Sequence, residues 1–182
     1  MIVSALFQAF VSAVKYTADP DSKLPEITYW LMGSIAKVAW SDLALYAVPL
    51  VVGLIPIIAL RWRLNTLAFG EEEAESLGVN VAALRVTCIV CATLLTASSV
   101  AISGVIGWVG LIMSHLVRFI AGPDNRIVVP LSVILGGAFL MLVDTACRTV
   151  TPSEIPLGIL TSVIGAPLFF IILLRSQRGA RS

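Results

Sequence analysis

The stretch VAALRVTCIVCATLLTASSVAIS, Val81 to Ser103, holds one charged side chain, Arg85, in 23 residues. At about 1.5 Å per residue, a helix of that length exceeds the roughly 30 Å hydrocarbon core of a bilayer. A helix apolar on every face is buried or lies in lipid. The run is rich in Ala, Ser, Thr and Cys, the small residues that let membrane helices approach closely, which predicts a central place in a bundle. The whole chain agrees: of 182 residues, 58% are hydrophobic and 13% charged, far outside soluble usage. The expected fold class is all-α, a polytopic transmembrane helical bundle.

Cys88 and Cys91 form a CxxC inside this run, with no second pair or histidine nearby, and Cys147 stands alone. They read as small apolar helix residues rather than a redox or zinc pair, so no metal site is expected. A net charge of +1 without a basic run argues against nucleic acid as a partner.

Toward the C-terminus, Gly104, Gly107 and Gly110 open a further span at about 105–121. They lack the GxxxxGK[ST] pattern of a P-loop and read as a close-packed helix start. Spans follow at about 128–147 and 156–174, with Pro156 suited to a first helical turn and Pro167 to a kink. Toward the N-terminus, a span is expected at about 42–60, with Ser41 as its N-cap and Pro49 and Pro56 inside. Residues 1–14 are apolar but too short to cross, and read as a truncated span. Thr17 to Glu26 is turn-rich, and Ile27 to Ser34 reads as a short helix at the interface, with Tyr29 and Trp30 at headgroup level.

Counting basic residues along alternating spans puts Arg61, Arg63, Arg85, Arg118, Arg126, Arg175, Arg178 and Arg181 on one side. Lys15, Lys23, Lys37 and Arg148 fall on the other. The richer side is assigned as cytoplasmic, and it holds FGEEEAESLG, Phe69 to Gly78, immediately before the opening stretch. Gly70 can cap a helix whose first turn, Glu71, Glu72 and Glu73, suits the positive end of the macrodipole, and Gly78 stands where a left-handed residue ends it. Ala74 and Leu77, three apart, are expected to share one face, and Glu71 and Glu75 another. The segment is either a solvated connector or a platform for a partner.

Three stretches carry a family resemblance: LNTLAFGEEEAESLGVNV (Leu64 to Val81), ISGVIGWVGLIMSHLVRFIAGPDNR (Ile102 to Arg126) and DTACRTVTPSEIPLGILTSVIGAPLFFIILL (Asp144 to Leu174). With TyrTrpLeuMetGlySer, Tyr29 to Ser34, they resemble the C-terminal half of FecCD-type permeases, the membrane subunits of ATP-binding-cassette importers for iron–siderophore complexes, haem and cobalamin. The resemblance implies about half of a ten-span permease, multi-pass in the cell inner (plasma) membrane. It implies no enzyme activity and no cofactor on this chain, ATP and magnesium belonging to a separate ATPase. The implied partners are that ATPase, an extracytoplasmic substrate-binding protein, a second permease copy and membrane lipid.

Residue by residue, the resemblance places Gly70, Glu71, Glu72, Ala74, Leu77 and Gly78, in a coupling loop over 64–80, at the ATPase contact. It places His115 and Arg118 at the cytoplasmic end of a span, with Ser114 where the family writes proline. A lone histidine there reads as structural rather than as a proton carrier. Arg148 is expected to dock the binding protein, although Asp144, four residues earlier, allows a local ion pair instead. Trp30, Gly33, Ser34 and Glu154 are expected at an outer gate or pathway. The competing readings are a non-transporting fragment or membrane scaffold that needs a missing N-terminal half, and an ion-coupled carrier. The carrier is disfavoured because few ionisable groups lie within the spans.

Overall fold

The computed structural model describes residues 1–36, 38–150 and 155–179, with side chains described through residue 172. Among these, every regular element is helical: α1 (Ile2–Thr17), α2 (Lys23–Leu31), α3 (Trp40–Thr66), a 3-10 turn (Leu67–Phe69), α4 (Glu71–Ser76), α5 (Val81–Ser103), α6 (Val109–Ala121), α7 (Asn125–Thr149) and α8 (Leu157–Gly179). Three of them, α3, α5 and α7, are long and apolar enough to cross a membrane by length and composition.

The helix ends show what sets each element. The first long helix begins at Trp40, not after a Ser41 cap: the Ala39 N–H donates to Asp42 Oδ2 at 3.0 Å, so an acidic third residue reaches back to the cap. It runs to Thr66 through the polar residues of its last turn, past the apolar stretch that ends at Leu60. Helix α2 takes in Lys23 to Glu26, because Pro25 sits in its first turn, where no intrahelical N–H is required. Helix α6 starts at Val109 rather than 105. Gly104 has φ +68 and Trp108 φ +71, and left-handed residues at both ends keep 104–108 out of the helix.

The three long helices lie in a row, α5 beside α3 and α3 beside α7, and α6 and α8 close against α7. Gly53 makes the α3–α5 approach possible: a Cβ there would lie 2.9 Å from Leu95 Cγ and 3.2 Å from the Cys91 carbonyl oxygen. Of its small residues, α5 buries Cys91 and Ser98, whereas Ala92, Thr93, Thr96 and Ala97 are exposed. Its opposite face, with Val86, Ile89 and Val90, is exposed, and the central position belongs to α7, which packs on α3, α6 and α8. Buried side chains gather in small clusters. Val109, Ile112 and Met113 pack with Phe139, Leu168 and Phe169 between α6, α7 and α8. Val143, Cys147 and Leu157 form another cluster near the far end of α7. Ile55, Ile134, Met141 and Phe170 are exposed; apolar faces on this scale are stable in hydrocarbon and not in water.

The turns fall at two ends. One end carries the 67–80 loop and the 122–124 turn; the other carries residues 32–36, 104–108, 150 and 155–156. Arg61, Arg63, Arg85, Arg118 and Arg126 lie at the first end, and Lys15, Lys23 and Arg148 at the second. Lys37 lies outside the described residues.

Candidate functional site

The 67–80 loop is an ordered knob with a buried root and an exposed tip. After the 3-10 turn, Gly70 adopts φ +117, a conformation that only glycine takes without strain, and α4 starts. Gly78, φ +80 with open space around it, ends the segment, its N–H donating to the Glu75 carbonyl at 2.9 Å. The Val79 N–H bonds the Ala74 carbonyl at 3.0 Å, closing the C-terminus of α4. Asn80 then caps α5 through its Oδ1, which accepts from the Ala83 N–H at 2.8 Å. Caps of this type contribute about 1 kcal/mol.

Ala74 and Leu77 do not share a face. Ala74 is 0% exposed and packs with Val79, Val81 and Leu84 against Leu60, Leu64 and Leu67, whereas Leu77 is 66% exposed and Phe69, at 73%, is equally open. The six-residue helix α4 ends at Ser76, so Leu77 sits at its C-cap and turns away from the buried side. The outer surface therefore combines two apolar side chains with Glu72, Glu73 and Glu75, all exposed. Glu71 pairs with Arg85 on α5, an exposed bridge worth at most about 1 kcal/mol that fixes the start of α4 to the next long helix.

Beneath the loop lies a polar joint that sequence reading missed. The Asn65 Nδ2–H donates to Asp124 Oδ1 at 2.6 Å, and the Asn65 Oδ1 accepts from the Asn125 N–H at 2.8 Å. Asp124 also caps α7, accepting from the Arg126 N–H at 2.8 Å. That N–H and then the Asn65 side chain hold the Asp124 carboxyl below the usual carboxylate range, with the Arg126 and Arg61 charges adding to the effect. Arg118, at the end of α6, donates to Asn125 Oδ1 at 2.8 Å and to the Pro123 carbonyl at 3.3 Å. Arg126 in turn stacks over Trp62, 5.9 Å from the ring centroid. The sequence around Asp124 carries a helix-start signal, an acidic residue before an apolar run. Nothing local marks its partner Asn65, 59 positions away.

His115 is exposed and tilts against Phe169, ring centroids 5.7 Å apart. Ser114 bonds the Leu111 carbonyl at 2.9 Å inside a continuous α6.

The opposite end brings Trp30, Gly33 and Ser34 against two other links. The Ser34 N–H donates to the Ser103 carbonyl at 2.9 Å, the Leu157 N–H to the Gly33 carbonyl at 2.8 Å, and the Gly158 N–H to the Met32 carbonyl at 3.0 Å. Glycine is required where these backbones meet. A Cβ on Gly33, φ +78, would lie 2.7 Å from the Val105 oxygen, and one on Gly104 would strike the Trp30 carbonyl. Beside this junction a cavity of about 620 Å³ is lined by Glu26, Trp30, Ser34, Asp42, Tyr46 and Ile155, among others. Arg148, near the end of α7, donates from Nε to Asp144 Oδ2 at 2.8 Å. Glu154 lies outside the described residues. The predicted site residues thus fall into two groups at opposite ends, with no element carrying both. Among the described residues no cluster of His, Cys, Asp and Glu has the grouping of a metal site.

The chain as a whole is similar to known proteins. The chain is 44% identical over 179 residues to a molybdate import system permease protein of Haemophilus influenzae, covering 98% of this chain and 53% of that protein. It is 40% identical over 182 residues to a hemin transport system permease protein of Yersinia pestis, covering 99% and 54%. A solved structure described as an inward-facing conformation of a metal-chelate type ABC transporter superposes with a TM-score of 0.90 at 43% identity, covering 96% of this chain and 57% of that one. The chain spans about half the length of the curated relatives it matches. With residues 1–175 matching the family as a whole, and with its helices laid out as in a solved relative, the chain belongs to the FecCD transport family.

Proposed function

We propose that this chain is a membrane-spanning part of the permease of an ATP-driven importer, and that the 67–80 knob is where the separate ATPase subunit docks. The observation that carries the reading is the split within the knob. Ala74, fully buried, anchors it to α3 and α5, while Leu77 and Phe69 are left exposed on an ordered support. An exposed apolar pair with carboxylates around it, held by two positive-φ glycines, has the form of a preorganised contact surface. The chain breaks no bond; it links ATP-driven movement of the partner to movement of the helices.

The cargo is proposed as a metal chelate, haem, cobalamin or an oxyanion such as molybdate, a range that the relatives' names support. At the opposite end, Trp30, Gly33 and Ser34 belong to an outer gate, and Arg148 is the docking point for an extracytoplasmic binding protein. The membrane is the cell inner membrane, and a second permease copy completes the pathway.

The test is Leu77→Arg in the full importer. A side chain at the centre of such a surface contributes about 2 kcal/mol or more, so the ATPase subunit should bind at least about 30-fold more weakly, with the permease inserted in normal amount. Unchanged affinity would refute docking at this knob.

A further inference from the structure

We propose that Asn65 is a positioning residue that joins the 67–80 knob and the 122–125 turn into one moving body, so that displacement of the knob displaces the ends of α6 and α7 as well. The inference rests on the reading of the knob as the ATPase contact. Its physical basis does not.

Asn65 is half-buried in the last turn of α3, two residues before the knob begins. Its amide uses both ends at once, donating to the Asp124 carboxylate at 2.6 Å and accepting from the Asn125 backbone at 2.8 Å. A planar group held at both ends fixes distance and orientation together. One acceptor is charged, and hydrogen bonds to charged groups are the stronger kind. From this pair the connection continues outward. Asp124 caps α7 through the Arg126 N–H, and the Asn125 side chain takes the Arg118 guanidinium at the end of α6. On the knob side, Leu64 and Leu67 flank Asn65 and pack on the buried cluster of Ala74, Val79, Val81 and Leu84. A push on α4 thus meets α3 through apolar contact, and Asn65 transfers it to α6 and α7 through hydrogen bonds. The Glu71–Arg85 bridge ties the knob only to α5, the helix next in sequence. Among the described residues, Asn65 provides the side-chain hydrogen bonds that span the greatest sequence separation.

The pairing predicts a swap. Asn65→Asp sets a carboxylate against Asp124 and breaks the joint; adding Asp124→Asn removes that repulsion and turns an amide N–H toward the new carboxylate, which still accepts the Asn125 N–H, at the expense of the Arg126 N–H cap, because both bonds now end on Asp124 Oδ1. The measurement is amide hydrogen exchange of the full chain in phospholipid nanodiscs, read on peptides covering 66–80 and 122–128. With Asn65→Asp or Asn65→Ala, both segments should exchange roughly tenfold faster, as expected when a local unit is released, while the middle of α5 stays unchanged. The double variant should slow both again relative to Asn65→Asp, 66–80 more fully than 122–128, which gives up its cap bond. Loosening of one segment alone, or no restoration in the double variant, would overturn the proposal; rescue separates a specific pair from damage to the fold. A second arm adds the purified ATPase subunit with the unaltered chain. Protection of 66–80 and 122–128 together supports the joint, whereas protection confined to 66–80 overturns it. If neither segment is protected, the docking reading fails, and the first arm still decides the joint.

Discussion

At Asn65 a single uncharged side chain sets how the ends of three helices sit, and its partner Asp124 shows how that joint answers to pH. The Arg126 N–H and the Asn65 amide lower the Asp124 pKa from its ordinary value. A group depressed in the folded state contributes stability above its unfolded pKa, about 3.9 for Asp, and loses it as pH falls through the folded value. Protection factors at residues 124–128 should therefore be flat from neutral pH down to about 4 and drop below it. A fall beginning near neutral pH would mean that another group controls this turn. Ala74 and Leu77 teach a different lesson at this scale. Their three-residue spacing promises a shared face, but α4 stops between them, and the spacing rule lapses where the helix does.

Among the elements, the apolar runs show where the long helices lie and say little about where they stop. Helix α3 continues six residues past its apolar segment, since Arg61, Arg63 and Leu64 have good helix propensity and extend it beyond lipid at little cost. Helix α6 loses its first residues to positive φ at Gly104 and Trp108; in sequence, Gly104, Gly107 and Gly110 read equally well as a packed helix start. The bracketing of the knob by Gly70 and Gly78 was legible because a required left-handed backbone leaves glycine as its trace. The joint beneath it was not, since hydrogen bonds between residues 59 apart leave no local pattern. The α3–α5 seam gives the prediction proper to this scale. Gly53→Leu forces a side chain into Leu95 and the Cys91 carbonyl, and overpacking of this kind costs about 1–3 kcal/mol. Unfolding in mild detergent should shift by that amount. Gly137→Leu, on α7, where a Cβ meets nothing within 4 Å, should be near neutral. Equal effects would mean that the seam is not tightly packed.

Across the whole molecule, the proposed contacts sit at opposite ends of the helix row, the knob between α3 and α5 and Arg148 on α7, and the two ends differ in character. The knob end presents apolar tips on an arginine-rich base; the other presents Arg148 held beside Asp144. Arg148→Glu should weaken association of the extracytoplasmic binding protein most at low salt, where exposed charges act over the longest range, and should leave ATPase binding unaltered. Unchanged affinity at low ionic strength would assign Arg148 to a local role beside Asp144 instead. The junction of links 32–34, 103–105 and 157–158 has a further consequence. Its connections run between main-chain atoms, which every residue type supplies, and its fixed demand is for glycine where the backbones touch. The neighbouring side chains that line the 620 Å³ cavity carry none of that joint. Substituting them changes the shape and polarity of the cavity and leaves the main-chain junction intact.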